Sequence, residues 1–293
     1  MEQTSIHDLP ADLVKPSVKG KNTVITGGAR GLGFAFAEIL AGAGANIALL
    51  DVGAPKEGSV EALESNTGAK IRYYKTDVTS REQVNQTIEA IEKEFGSVDI
   101  NINAAGVVTD ESFLTTSDKN LSTTFNVNEN TFNNSSQFVG SFLVSQACAN
   151  AMVRKWEKLG KPKPAEAAPT GHIIFIGSVS THISTYVQQT SCYVASKAAV
   201  GGLVKPLAME LSQYGIRVNI LSPGSMRTDM FLQVEKTFPD LTKQFNQEHF
   251  FGRVGFPHEL GPAIIYLSTS TWTTGQDIVV DGGVSGWKHR GNW

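Results

Sequence analysis

Thr26-Gly27-Gly28-Ala29-Arg30-Gly31-Leu32-Gly33 joins a short stretch centred on Val24-Ile25, Asn22 to Thr26, to an apolar helical run, Phe34 to Leu40. The first reads as a buried strand and the second as a helix. Strand, glycine-rich turn and helix together make a phosphate cradle. Glycines let the backbone turn tightly and approach a pyrophosphate, and the positive end of the helix favours its charge. The spacing is Gly-x3-Gly-x-Gly, unlike the commoner Gly-x-Gly-x2-Gly. Alone, such a turn is a weak signal, because a tight turn without a ligand has the same composition.

The next strand, Asn46 to Leu50, ends in Asp51. An acidic residue there accepts hydrogen bonds from an adenosine ribose and repels a 2′-phosphate, which argues for NAD over NADP. Arg30 pulls the other way, since a cation in the turn could hold that phosphate. The pattern then repeats: helix at Lys56–Asn66, strand at Lys70–Lys75, helix at Ser80–Phe95, strand at Val98–Ile102. Asn103-Ala104-Ala105-Gly106 closes the fourth strand with small residues that let a flat ligand lie close. Further strands fall at Gly171–Ile176, Ile216–Leu221 and Gln276–Val280, with a helix at Pro257–Ser268. Strands alternating with helices predict an α/β fold, a doubly wound parallel sheet covered on both faces. No linker divides the chain. Residues 1–19 read as an irregular extension and 20–293 as one domain. Lys158 to Thr170 is proline-rich and expected to be a solvated loop. Residues 225–256 carry scattered aromatics without a period and are expected to form a mobile lid with an apolar lining, a packed pair of small helices being the plainer alternative.

Within Ser191-Cys192-Tyr193-Val194-Ala195-Ser196-Lys197, Tyr193 and Lys197 stand four apart. On a helix that spacing stacks both side chains on one face. Ala198, Val200, Leu203, Val204, Leu207, Met209 and Leu211 continue an apolar face. A free phenol ionises near pH ~10. A cation ~4 Å away at an effective dielectric of ~20 favours the phenolate by roughly 4 kcal/mol, enough to bring the phenol near neutrality. Such a group can exchange a proton with a carbonyl or alcohol oxygen.

Composition excludes several classes. The 293 residues are 41% hydrophobic and 18% charged, as in ordinary globular chains. A net charge of −3 gives no reason to expect nucleic acid or an anionic membrane. No apolar run reaches spanning length, and Met1 to Lys19 lacks the apolar core of a signal peptide, so a cytoplasmic protein is expected. Cys148 and Cys192 make no disulfide framework, and the six histidines show no metal-ligand spacing.

In their order, Thr26 to Gly33, Asp77-Val78, Asn103-Ala104-Ala105-Gly106, Ser178, Tyr193-x3-Lys197 and Pro223-Gly224 with Thr228 resemble the short-chain dehydrogenase/reductase family. The resemblance implies a Rossmann-type sheet of about seven strands binding NAD(P). It implies cofactor contacts from Gly27, Arg30, Gly31, Leu32, Gly33, Asp51, Asp77, Val78, Asn103, Ala104, Gly106, Tyr193, Lys197, Pro223, Gly224 and Thr228. Tyr193 would pass the proton and Lys197 would hold the nicotinamide ribose. A serine would bind the substrate oxygen, and Asn128 would position a relay water. The family's usual serine-to-tyrosine spacing lands on Ser180; aligning the strand end gives Ser178, which is preferred because the strand end fixes where the side chain points. The loop Gly177 to Ile183 and Gln188-Gln189 resemble fungal polyol and ketose reductases of the mannitol, sorbose and arabinitol kind. The aromatic lid would suit a larger secondary-metabolite ketone. The expected activity interconverts a small-molecule secondary alcohol and a ketone, with a non-redox enzyme of the same fold (dehydratase, isomerase or cyclase) as the alternative. The family pairs long helices between copies, so a homotetramer or homodimer is expected. Finally, residues 129–139 are extra and rich in Asn, Ser and Thr, which are poor in helix interiors. The helix carrying Asn128 should therefore break and restart near Ser135 or Ser136.

Overall fold

A computed structural model describes residues 17–108, 111–118, 121, 137–164, 167–184 and 188–286. Seven strands form one parallel sheet: β1 (Asn22–Thr26), β2 (Asn46–Asp51), β3 (Ile71–Lys75), β4 (Ile100–Asn103), β5 (Gly171–Ile176), β6 (Ile216–Pro223) and β7 (Asp277–Val280). Their order is β3-β2-β1-β4-β5-β6-β7. The chain winds outward from β1 to β3, returns to the middle, and winds outward again from β4. The reversal lies between β1 and β4, where Thr26 pairs with Asn103. In doubly wound sheets the ligand crevice opens at that point.

The strands send apolar side chains to both faces because both faces are covered. Ile47, Leu49, Ile102, Ile174 and Ile176 enter one core, with Phe36 and Leu40 of α1 (Gly31–Gly42) and Ile264 and Leu267 of the helix Gly261–Thr269. Their alternates Ala48, Leu50, Ile173 and Phe175 enter the other, with Val84, Ile88 and Ile91 of the helix Arg81–Phe95. Full burial of each large aliphatic or aromatic side chain is worth about 1.5–3 kcal/mol. Ser80 caps that last helix by accepting from the Gln83 N–H, and Gly96 ends it in the left-handed region at φ 87°.

Counting helices in chain order, α1 is followed by α2 (Ser59–Thr67), α3 (Arg81–Phe95), α4 (Gln137–Lys158), α5 (Ser191–Leu211), α6 (Asp229–Thr237), α7 (Pro239–Glu248) and α8 (Gly261–Thr269) among the described residues. The segment predicted to break, and Asn128 with it, lies outside the described residues. α4 is described from Gln137 onward, and the restart expected at Ser135 or Ser136 lies outside the described residues. α5 carries Tyr193 and Lys197 as expected, but its buried stripe is Val200, Val204 and Ala208, while Met209 stands 73% exposed. Residues 225–256 differ from the expected mobile lid. They fold as the packed pair α6 and α7, because Phe231, Phe245 and Val254 form their own small core. The Phe231 and Phe245 rings meet edge to face at 5.6 Å.

One buried titratable group lies at the opposite end of the sheet from the crevice. His172 of β5 is buried, its Nδ1 has no partner, and Arg217, Lys21 and Lys155 add to its surroundings. Burial, then those cations, pull its pKa down to about 3. An unfolded histidine titrates near 6.5. Between these values the unfolded chain binds a proton that the folded chain refuses. The contribution is thus complete above pH ~6.5 and is lost as pH falls toward 3. Urea unfolding of wild type against His172→Gln should give a stability difference that moves against wild type by up to about 1.4 kcal/mol per pH unit below 6.5. Parallel pH profiles would contradict this assignment.

Candidate active site

The turn after β1 is shaped by contacts that leave no room for side chains. Gly27 has φ 63°, and a Cβ on it would lie 2.8 Å from Ala105 Cα. A Cβ on Gly33 would lie 2.1 Å from the Gly27 carbonyl oxygen. The Ala105 N–H donates to Thr26 Oγ1 at 3.1 Å, fastening the turn to the end of β4. No side chain caps the first turn of α1, and Gly31 has open space where a Cβ would be. Arg30 is exposed at the N-cap, while Leu32 packs against the core below α1. Asp51 closes the cradle: Oδ2 accepts the Ala29 N–H at 3.1 Å and Oδ1 the Gly53 N–H at 3.0 Å. The residues present fit a dinucleotide. The backbone is bare where a pyrophosphate must approach, the helix end above it is uncapped, and a carboxylate stands at the strand end.

Other expected cofactor residues serve the fold with their side chains. Asp77 Oδ1 accepts the Thr79 N–H and hydroxyl at 2.9 and 2.7 Å. Val78 is buried against Gly140, where a Cβ would come within 2.6 Å of Val78 Cγ2. Asn103 turns away from the crevice and donates to Asn101 Oδ1 at 2.8 Å and Ser145 Oγ at 2.9 Å. The period-2 alternation of β4 puts Asn101 and Asn103 on the α4 side, so it is Ala104 and Gly106 that follow at the crevice. Pro223 ends β6, the Gly224 N–H donates to the Val280 carbonyl at 3.0 Å, and Thr228 forms the N-cap of α6.

Ser178, Tyr193 and Lys197 come together at the ends of β5 and α5. Ser178 is buried; its Oγ accepts the Ser180 N–H at 3.2 Å, and its side chain lies close enough to the Tyr193 phenol to favour its ionisation. Ser178 is therefore the serine that acts on the tyrosine, and Ser180 supplies a backbone donor to it. Lys197 Nζ donates to the Ile176 carbonyl at 2.7 Å and lies 5.8 Å from the centre of the Tyr193 ring. Here the sequence expectation needs correction. Burial pushes the phenol above its ordinary value, and Ser178, not the ammonium, is what pulls it down. Burial also lowers Lys197 to about 8. The spacing placed the cation correctly but gave no account of the enclosure, which acts against both charged forms.

The family described as enoyl-(acyl carrier protein) reductase matches residues 27–285. The chain belongs to the short-chain dehydrogenase/reductase family. It is 34% identical to a sorbose reductase of Schizosaccharomyces pombe, over 91% of this chain and 96% of that protein. A short-chain type dehydrogenase/reductase of Mycobacterium marinum superposes with a TM-score of 0.75 at 31% identity, covering 94% of this chain and 98% of that one. The NADPH-dependent 3-quinuclidinone reductase of Rhodotorula rubra gives 0.78 at 32% identity, covering 97% and 98%. As a short-chain dehydrogenase/reductase, the protein is an oxidoreductase using NAD or NADP.

Sequence reasoning about this short-chain dehydrogenase missed two contributors. The Ile176 carbonyl is backbone and has no sequence signal. His182, bonded through Nε2 to Asp277 Oδ2 at 2.9 Å, pairs residues too far apart for any spacing rule. The geometry of the turn predicts that Gly27→Ala raises the dissociation constant for NAD(H) about tenfold or more, since a left-handed non-glycine residue alone costs roughly 1–2 kcal/mol. Gly96→Ala, also at positive φ but with open space around it, should leave binding unchanged. Equal affinity in wild type and Gly27→Ala, read by nicotinamide fluorescence, would refute the cradle.

Proposed function

We propose that this protein interconverts a polyol and a ketose, with NAD(H) as the hydride carrier. The observation that carries the reading is the meeting of Ser178 and Tyr193 beside a buried Lys197, whose Nζ bonds the Ile176 carbonyl at 2.7 Å and lies 5.8 Å from the Tyr193 ring. The cofactor, when bound, accepts or supplies the hydride. In the reducing direction the Tyr193 hydroxyl gives its proton to the carbonyl oxygen. The Ser178 hydroxyl donates to the same oxygen as charge develops there. Lys197, mostly cationic at neutral pH, holds the nicotinamide ribose. The resemblance gives the relay water to Asn128, which lies outside the described residues.

The polyol or ketose assignment is supported by the resemblance of the serine loop and by the sorbose reductase relative. Phe231 and Phe245 pack on each other, which leaves the exposed Phe238, Phe250 and Phe251 as the aromatics of 225–256 open to a larger apolar substrate. NAD is favoured by Asp51, whose carboxylate has no cationic partner among the described residues and would stand against a 2′-phosphate. The 3-quinuclidinone reductase is NADPH-dependent, so the cofactor comparison is a real test. The cytoplasm is the compartment that fits this chemistry and the unremarkable charge.

Tyr193→Phe should lower turnover at least ~100-fold while cofactor still binds, the usual size of a lost general acid/base. In wild type, kcat/KM with NAD should exceed that with NADP. Near-normal turnover in Tyr193→Phe would sink the mechanism, a clear NADP preference would overturn the role of Asp51, and no nicotinamide absorbance change with any polyol or ketose would favour the non-redox alternative.

The working assembly we propose is a homodimer or homotetramer built on α4 and α5. Met209 and Phe142 on these helices stay exposed, as unpartnered apolar surface does when a second copy covers it. Light scattering at micromolar concentration should give a multiple of 31.5 kDa, and a monomer would refute it.

A further inference from the structure

The serine turn is short and largely closed on itself. Ser178 begins it and Val179–Thr181 make one turn of 3-10 helix. The Thr181 N–H and hydroxyl both bond the Ser178 carbonyl, at 3.1 and 2.8 Å, and the His182 N–H bonds the Val179 carbonyl at 2.8 Å. These bonds set the shape of the turn and give it no hold on the sheet. Its near end is held, because the Gly177 N–H donates to the Leu221 carbonyl of β6 at 2.8 Å. Its far end ends in His182. The imidazole reaches Asp277, the first residue of β7, at 2.9 Å. Asp277 is itself fixed in the sheet opposite Ile220 of β6. Both holds therefore run to the β6–β7 edge, one at each end of the turn.

We propose that His182 is a positioning residue for the reaction. Its bond to Asp277 pins the far end of the serine turn and so keeps the Ser178 hydroxyl at the Tyr193 phenol. The inference rests on the reading of Ser178 as the donor to the substrate oxygen. Without that bond the turn keeps Gly177 and the buried Val179 as holds among the described residues, and its far end can shift. That shift moves Ser178 without touching cofactor or substrate binding elsewhere, so the cost falls on kcat. The His182 and Asp277 side chains are 36% and 31% exposed, which keeps the bond at the strength of a surface pair.

The test uses the full chain with its cofactor. His182→Ala and Asp277→Ala should each lower kcat about two- to fivefold, the range of a surface pair. Substrate KM, the dissociation constant for NAD and the melting temperature should hold. The double variant should be no slower than the worse single one, because both remove the same bond. His182→Lys should recover kcat with Asp277 present and fail to do so beside Asp277→Ala. Wild-type kcat in the single variants, additive losses in the double variant, or a loss that follows melting temperature or NAD affinity would overturn the proposal. Ser178→Ala measured alongside separates the two layers. If it loses turnover while His182→Ala does not, the tether falls and the serine stands; if it keeps turnover, both fall.

Discussion

The bond from Lys197 Nζ to the Ile176 carbonyl fixes the relation on which the site depends. Ile176 is the last residue of β5 and Lys197 lies in the second turn of α5. A buried ammonium without a partner would cost several kcal/mol, so this carbonyl sets how α5 docks on the sheet. Once docked, Tyr193 stands one turn nearer the start of the helix, and Ser178 stands two residues beyond Ile176. The serine and tyrosine meet because both are measured from one anchor. The apolar stripe Val200, Val204 and Ala208 continues the same docking down the face of the sheet. Packing and chemistry thus use one helix in two segments: the first two turns for the reaction, the rest for the core.

The second organising point is the reversal of winding between β1 and β4. Two strand ends meet there, and the turn that follows β1 is forced against the residues that follow β4. Gly27 against Ala105 is the contact that records it. Beneath the crevice, Asn101, Asn103 and Ser145 form a buried polar cluster on the α4 side. That cluster joins β4 to α4, and the same β4 end supplies the small residues at the crevice. The floor of the cofactor site is therefore held by polar bonds on its underside, while its upper surface stays free of side chains.

Most of the framework was legible because its causes are local. β1 and β5 are legible to the residue, since each has an apolar heart, Val24-Ile25 and Ile173 to Ile176, followed by a glycine turn. Gly27, Gly33, Tyr193 and Lys197 were legible because their spacing along one turn or helix is itself the geometry. What was not legible depends on burial or on long-range pairing. Met209 was assigned to the apolar face of α5, yet helical phase against the sheet leaves it outside. Of the aromatics of 225–256, Phe231 and Phe245 are each other's partners across two helices, which no period reveals, while Phe238, Phe250 and Phe251 stay exposed. Asp77, Val78 and Asn103 sit where the resemblance expects them, but only coordinates distinguish a side chain facing a ligand from one turned to Thr79, Gly140 or Ser145.

The enclosure that defeats the simple charge argument also suits the chemistry. A phenol and an ammonium side by side in water would favour phenolate only weakly, because the solvent screens the pair. In the closed space between β5 and α5, burial raises Tyr193 and lowers Lys197 together. Both shifts favour the neutral forms and move the two acids apart in strength, the ammonium becoming the stronger. Tyr193 then rests protonated, and Ser178 is the group that favours its ionisation. Lys197 still carries its charge at neutral pH, but with little margin, so its carbonyl partner matters more than it would on a surface. Burial, rather than the i, i+4 pairing by itself, thus sets the resting protonation of the site, and the pairing sets where the charge will be felt once the proton begins to move.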